Sequence, residues 1–259
     1  MENIKRVLSY TRRAVDDYEM IHDGDKVAVG ISGGKDSLTL LCALADLKKF
    51  YPKKFELHAI TVDMGFDPPM DFSEIQALCD KLEVPYHITK TEIAKIIFDV
   101  RKESNPCSLC AKMRRGSLHA AAQELGCNKV ALGHHYDDAV ETFMMNLFFE
   151  GRLGCFSPKS YLSNRKLGLI RPLLYATEKD VQYFVNRRKL PIVTSLCPKD
   201  HATERENMKN LLASLERENK GVKHRIFNAM CKGEIDGFKK VGRYPDAGEL
   251  PAGEDSPLE

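Results

Sequence analysis

Residues 26–37, Lys-Val-Ala-Val-Gly-Ile-Ser-Gly-Gly-Lys-Asp-Ser, carry the densest chemistry in the chain. An apolar strand empties into a short polar loop whose Gly33-Gly34 pair reaches backbone angles closed to other residues, and a helical run, Leu38 to Leu47, follows at once. Such a loop is an anion cradle. Backbone N–H groups and the unpaired first-turn amides of the helix converge where a phosphate can replace their missing partners. Lys35 adds a mobile positive charge, and Ser32 and Ser37 add hydroxyl donors. The spacing is neither G-x-x-x-x-G-K-[ST] nor G-x-G-x-x-G with an acid some 20 positions on, which excludes the ordinary kinase and GTPase loop and the dinucleotide fingerprint.

Two further groups bear reactive side chains. Gly133-His-His-Tyr-Asp-Asp138 follows another apolar stretch. Asp36, Asp137 and Asp138 stand at helix heads, where each serves as a plain N-cap or, with phosphates in the cradle, holds Mg²⁺ against their oxygens. His134 and His135 lack a nearby Cys or His to complete a tetrahedral metal set, so shaping the loop or touching a nucleotide suits them better. The eight cysteines, 42, 79, 107, 110, 127, 155, 197 and 231, are too sparse for a disulfide scaffold. Cys42, Cys79 and Cys127 sit among core residues and read as small buried hydrophobes. Cys107-Ser-Leu-Cys110 admits three readings: a redox dithiol near a helix start, a structural zinc recruiting Cys197 and His201, or an iron–sulfur cluster on Cys107, Cys110 and Cys197 with one iron left without a protein thiolate. Spacing alone leaves them open.

The elements that must position these residues alternate. An amphipathic helix over 3–20 (Ile4, Val7, Leu8, Thr11, Val15, Tyr18) precedes the first strand. Strands follow at 55–62, 85–88 and 129–132, separated by helices at 71–82, with Asp71 or a neighbour starting it, then 92–100 and about 111–125. This interval is the signature of parallel βαβ units, so the fold class is α/β: an open parallel sheet with helices on both faces. Beyond it come a helix at 139–149, an irregular basic stretch at 151–167, an edge or terminal strand at 169–174 because of Pro172, a helix at 178–188, a strand-like piece at 192–195, and helices at 204–218 and 222–231. The tail after Arg243 is expected to be disordered. Ligands of such sheets bind outside the carboxyl ends of the strands. The Ser32–Ser37 loop, Asp63, the Cys107/Cys110 turn and Gly133–Asp138 all fall there, around one crevice.

A chain of 259 residues can bury a large core. Its net charge of +2 does not diagnose nucleic-acid binding, although Arg12-Arg13, Lys112 with Arg114-Arg115, Arg165-Lys166, Arg187-Arg188-Lys189 and Lys239-Lys240 form short basic groups. No apolar run reaches the ~18 residues of a membrane span and residues 1–20 carry charges throughout, so the expected location is the cytoplasm. Three segments are expected: the N-terminal helix (1–24), a nucleotide domain with a cysteine insert (25–218), and a C-terminal helix with a flexible tail (219–259).

The chain resembles the PP-loop ATP pyrophosphatase superfamily and, within it, the tRNA 2-thiocytidine synthetase family. The stretches that carry the likeness are Ser32-Gly-Gly-Lys-Asp-Ser37, Pro106-Cys-Ser-Leu-Cys-Ala-Lys-Met-Arg-Arg-Gly116, Gly133-His-His-Tyr-Asp-Asp138, Ile170-Arg-Pro-Leu173 and Leu196-Cys197. The resemblance implies a PP-loop (adenine nucleotide alpha hydrolase-like) fold and a concrete reaction. ATP and Mg²⁺ on the loop adenylate the C2 oxygen of a cytidine, position 32 of the tRNA anticodon loop, and sulfur then displaces AMP. It further implies a [4Fe–4S] cluster on Cys107, Cys110 and Cys197, with tRNA and a sulfur donor such as a cysteine desulfurase or sulfide as partners. In that division of labour Ser32, Gly33, Gly34, Lys35 and Ser37 cradle phosphates, Asp36 with Asp137 or Asp138 holds Mg²⁺, and Asp63, Gly133 and His134 border the adenosine. The N-terminal helix makes a homodimer a further expectation. Two departures touch the substrate side: Ser195-Leu-Cys-Pro-Lys-Asp200 where the family has Asn-Leu-Cys-Gly-Ser-Gln, and Tyr136 where it has Arg. The competing readings are another PP-loop reaction, such as uridine or small-molecule thiolation or amidation, and a zinc-stabilised RNA-binding protein.

Overall fold

The computed structural model describes residues 2–101, 106–193, 197 and 204–239. The tail beyond Arg243, and Leu196 and His201, lie outside them. The chain divides into two compact units, Met1–Tyr136 with Pro158–Ala202, and Asp137–Ser157 with Thr203–Glu259.

The first unit holds one six-stranded sheet among the described residues. Its strands are β1 (Asp25–Gly30), β2 (Phe55–Asp63), β3 (Tyr86–Lys90), β4 (Lys129–Ala131), β5 (Lys159–Leu162) and β6 (Leu167–Ile170), in the order β3-β2-β1-β4-β6-β5. All neighbours run parallel except β5 against β6. The chain steps outward from β1 to β3, then returns to lay β4 on the other side of β1. That reversal creates the crevice at which open α/β sheets take their ligands.

Alternation along the strands sends successive side chains to opposite faces. Ala28, Ile60, Val130 and Leu169 share one face and pack against Leu118, Ala121 and Ala122 of α5 (Pro106–Glu124). Val27, Val29, Ala59 and Ala131, equally buried, point the other way. There α2 (Lys35–Lys48) contacts β1 and β2 and is backed by α1 (Glu2–Asp17) and α7 (Glu178–Arg188). Apolar residues surround α2 from Leu38 to Leu47, as a helix packed on every side requires. Val7, Ala14 and Val15 of α1 are buried within this layer.

The amino ends of the strands are tied by charge. The Asp25 carboxylate accepts from Lys129 Nζ at 2.6 Å, Asn128 Nδ2 at 2.8 Å and His22 N–H at 2.6 Å. Burial pushes its pKa up, but these donors, Lys129 foremost, hold it below the ordinary carboxylate value.

Several expectations are corrected. Arg171-Pro172 lies past a strand that ends at Ile170, and that strand is interior, paired with β4 and β5. The edge falls instead to β5, inside the stretch read as irregular. Helix 92–100 is a short α4 (Ile93–Lys95) that widens into a π-helical turn, Ile96–Arg101, with Ile93, Ala94 and Ile97 in one apolar cluster. Helix α3 (Ser73–Lys81) starts as expected beside Asp71: its N-cap is the neighbouring Phe72, and Asp71 Oδ1 accepts from Ser73 N at 2.8 Å. Pro191–Val193 forms no strand.

The second unit contains α6 (Tyr136–Phe149, all but its first residue), α8 (Glu204–Glu218) and α9 (Val222–Lys232). Met208, Leu212, Phe227 and Met230 are buried there, and Phe227 meets Phe238 edge-on at 5.6 Å.

Candidate functional site

The cradle is built as the loop's composition requires. Ile31–Gly34 joins β1 to α2, and Gly33 takes φ +83°, the left-handed region that favours glycine. Gly34 is the N-cap of α2 and supplies no side-chain cap, which leaves the first-turn amides available to an anion. The helix begins at Lys35, three residues earlier than the apolar pattern indicates, which places Lys35, Asp36 and Ser37 in its first turn. The serines brace the loop. Ser37 Oγ accepts from Ser32 N and from Ser32 Oγ, both at 3.2 Å, and donates to Gly34 O at 2.9 Å, while Gly34 N donates to Ser32 Oγ at 3.3 Å.

Lys35 Nζ lies 3.1 Å from each Asp36 carboxylate oxygen and 3.6 Å from Glu178 Oε1 at the head of α7. The loop after β4 backs onto the same turn. A Cβ on Gly133 would stand 3.0 Å from Asp36 C and 3.1 Å from Ser37 N, so only glycine lets the two segments approach. Buried His135 brings Nε2 to 3.6 Å from Asp36 Oδ1. Asp63, ending β2, accepts from Gly65 N at 3.0 Å through Oδ1, and its carbonyl accepts from Thr91 N and Thr91 Oγ1.

Cys107 and Cys110 lie within the first turns of α5, not ahead of it, because Pro106 opens the helix. Leu109, Cys110 and Met113 pack against the cluster of Met64, Ile93, Ala94 and Ile97, which seats this turn on the carboxyl end of β2. Burial raises the Cys110 pKa. The Arg114 guanidinium opposes that shift and hydrogen-bonds the thiol, while Cys197 and Cys107 reinforce it as neighbouring thiols. None of the three is in a disulfide; Cys107 is exposed and the other two are half-buried. The three expected ligands are all cysteines, the residue type an iron–sulfur centre uses. Among the described residues, no three His, Cys, Asp or Glu side chains close into a metal-holding group. The other thiols differ in kind: burial pushes Cys42 up to about 11 and Cys79 to about 12.

In the second unit Asp137 and Asp138 head α6 and are met by cations of that unit. Lys223 Nζ reaches Asp137 Oδ1 at 2.6 Å, and Arg205 Nη1 reaches Asp138 Oδ1 at 3.2 Å and Glu141 Oε2 at 3.5 Å.

Two residues that sequence reasoning passed over adjoin the cradle. Glu178 follows Thr177, whose hydroxyl accepts from Asp180 N while the Asp180 carboxylate accepts from Thr177 N. That capping-box spacing, Thr-x-x-Asp, announces a helix head and was the available signal. Val193 N donates to Gly33 O at 3.0 Å, and a Cβ on Gly33 would stand 3.1 Å from Val193 Cβ. No residue type signals a backbone bond.

A family model described as a PP-loop domain matches residues 6–215. The tRNA-cytidine(32) 2-sulfurtransferase of Geobacter sulfurreducens is 40% identical over 229 residues, covering 87% of this chain and 89% of that protein. Its counterpart from Pseudomonas putida (strain GB-1) is 40% identical over 228 residues, covering 87% and 83%. Among solved structures, the U34-tRNA thiolase NcsA from Methanococcus maripaludis with its [4Fe-4S] cluster aligns with a TM-score of 0.73 at 27% identity, over 88% of this chain and 77% of that one.

Proposed function

The chain belongs to the PP-loop domain family, and from that premise we propose that it is an ATP-dependent tRNA sulfurtransferase acting on C2 of cytidine 32. One observation carries the reading. The open helix N-terminus at the end of β1 and the cysteine turn seated on the end of β2 share one edge of one sheet. A nucleotide-activating group and a sulfur-handling group are thereby brought to neighbouring strands.

The residues divide the work by chemistry. Amides at the head of α2 and the Lys35 ammonium stabilise charge on the α- and β-phosphates as the cytidine C2 oxygen attacks the α-phosphorus and pyrophosphate leaves. Asp36 would hold Mg²⁺, and Asp63, Gly133 and His134 would border the adenosine. Sulfur then forms a bond to C2 while the C2–O bond breaks and AMP departs. A [4Fe–4S] cluster on Cys107, Cys110 and Cys197, when bound, supplies an iron without a protein thiolate to carry that sulfur. Glu178 and Asp36 hold the Lys35 ammonium in place ahead of nucleotide binding. The sulfur comes from a cysteine desulfurase or from sulfide.

Cytidine 32 is favoured over uridine 34 because the relatives named for it are 40% identical, against 27% for the U34 thiolase. Mass spectrometry of tRNA nucleosides from cells lacking the protein tests both. Loss of 2-thiocytidine is expected, and intact 2-thiocytidine with lost 2-thiouridine would transfer the activity to the other base.

A further inference from the structure

Along α5, Ser108, Lys112, Arg115, His119 and Gln123 recur at three- and four-residue intervals and so form one stripe, beginning on the turn that carries Cys107 and Cys110. From Lys112 to Gln123 it runs about 16 Å. The turn between β5 and β6 continues it. Gln123 Nε2 donates to Arg165 O at 2.9 Å, Arg165 Nη1 donates to Gln123 Oε1 at 3.3 Å, and Lys166 follows, exposed. His119, on the same stripe, is buried. Burial first, then the charges of Arg165 and Arg115, hold its imidazole below the ordinary histidine pKa.

Among the described residues, Lys112, Arg115, Arg165 and Lys166 meet no carboxylate. Four other basic residues of this unit do meet carboxylates: Arg12 meets Asp16, Arg13 meets Asp17, Arg188 meets Asp46 and Lys129 meets Asp25. A second observation is independent of charge. Gly116 stands inside the helix, where only proline suits less well, yet a Cβ there would meet nothing within 4 Å and its φ is not left-handed. The described residues give the glycine no packing reason. It leaves bare backbone in the middle of the stripe.

We propose that this stripe, Lys112, Arg115, Gly116 and Gln123 continued by Arg165 and Lys166, is the seat of the tRNA sugar-phosphate backbone, with Gly116 admitting that backbone against the helix itself. The proposal rests on the tRNA-modifying reading above. Lys112 and Arg115 at helical spacing, with Arg165 and Lys166 on the adjoining turn, are cations without a carboxylate partner among the described residues, the kind that positions phosphates. A protein partner would instead want an apolar or aromatic centre, which the stripe lacks. Its cysteine end sets which end of the track meets the site, since a strand laid along it presents its next nucleotide to the turn that holds Cys107 and Cys110.

The test is binding of an unmodified tRNA transcript to the anaerobically purified full chain across a KCl series. Arg115→Ala, Arg165→Ala and Lys166→Ala are each expected to weaken binding by about three- to tenfold and to flatten the log K versus log salt slope by about 0.7–0.9. Arg187→Ala, on the exposed face of α7, is expected to change neither. Gly116→Leu is expected to lose at least about tenfold in affinity while its Tm stays level or rises, since leucine favours helix. A structural role for Gly116 would move Tm and affinity down together, and the Arg165 and Lys166 variants, outside the helix, would then decide. Wild-type binding with unchanged variants would overturn the track and leave the function standing. Absence of tRNA binding by the wild type would overturn both, and variants that lose an acidic protein while keeping tRNA would reassign the stripe to a protein partner.

Discussion

Lys35 is gripped from two sides, by Asp36 in its own turn and by Glu178 from α7, so its ammonium is already positioned before any phosphate arrives. Lys35→Ala is expected to lower ATP-dependent pyrophosphate release by about 10²–10³-fold, the size of effect seen when one transition-state donor is removed. Cys197→Ala should abolish sulfur transfer and the visible absorption of the cluster with ATP affinity unchanged, because the cradle is braced by Ser32, Gly34, Ser37 and Val193. Full thiolation by that variant would remove Cys197 from the site. At this scale the sequence was most readable where a residue type is the mechanism: Gly33 for its backbone angle, the cysteines for their sulfur. Glu178 acts through its place at a helix head and Val193 through its main chain, and neither choice of side chain advertises that role.

Helix starts decide where the reactive groups face. The apolar pattern indicates α2 from Leu38, whereas capping and backbone geometry start it at Lys35 and turn the lysine, aspartate and serine into first-turn residues. Pro106 marked the head of α5 in the same way, since proline fits the first helical position. The short β5 was hard to read because four residues of alternation, Lys-Ser-Tyr-Leu, scarcely exceed chance. Thr177→Ala breaks the capping box of α7 and should cost about 1 kcal/mol in urea unfolding, with a higher KM for ATP as Glu178 loosens. Gly65→Ala is harsher. Its φ is +72° and the new Cβ would run into the Thr91 carbonyl oxygen, so a loss of about 2 kcal/mol or more is expected, along with displacement of the turn after β2.

Across the molecule the sheet separates two tasks: its carboxyl edge keeps open amides and thiols, while its amino edge is closed by Asp25 and its donors. Because the folded pKa of Asp25 lies below its unfolded value, its contribution is fully present above about pH 4 and disappears as pH falls through the folded value. Lys129→Met, which strands the buried carboxylate, should cost about 3 kcal/mol at neutral pH and flatten the acid limb of a stability–pH curve. The strand–helix alternation made the α/β class legible from sequence, while the division into two units depends on residues far apart in the chain and left no local mark. One bond on the open edge has a use as a clock. The Val193 amide hydrogen is held by Gly33 O, so its rate of trading for deuterium follows the opening of the loop at that one bond. A non-hydrolysable ATP analogue should slow that single exchange, turning one main-chain hydrogen four positions before Cys197 into a reporter of nucleotide occupancy.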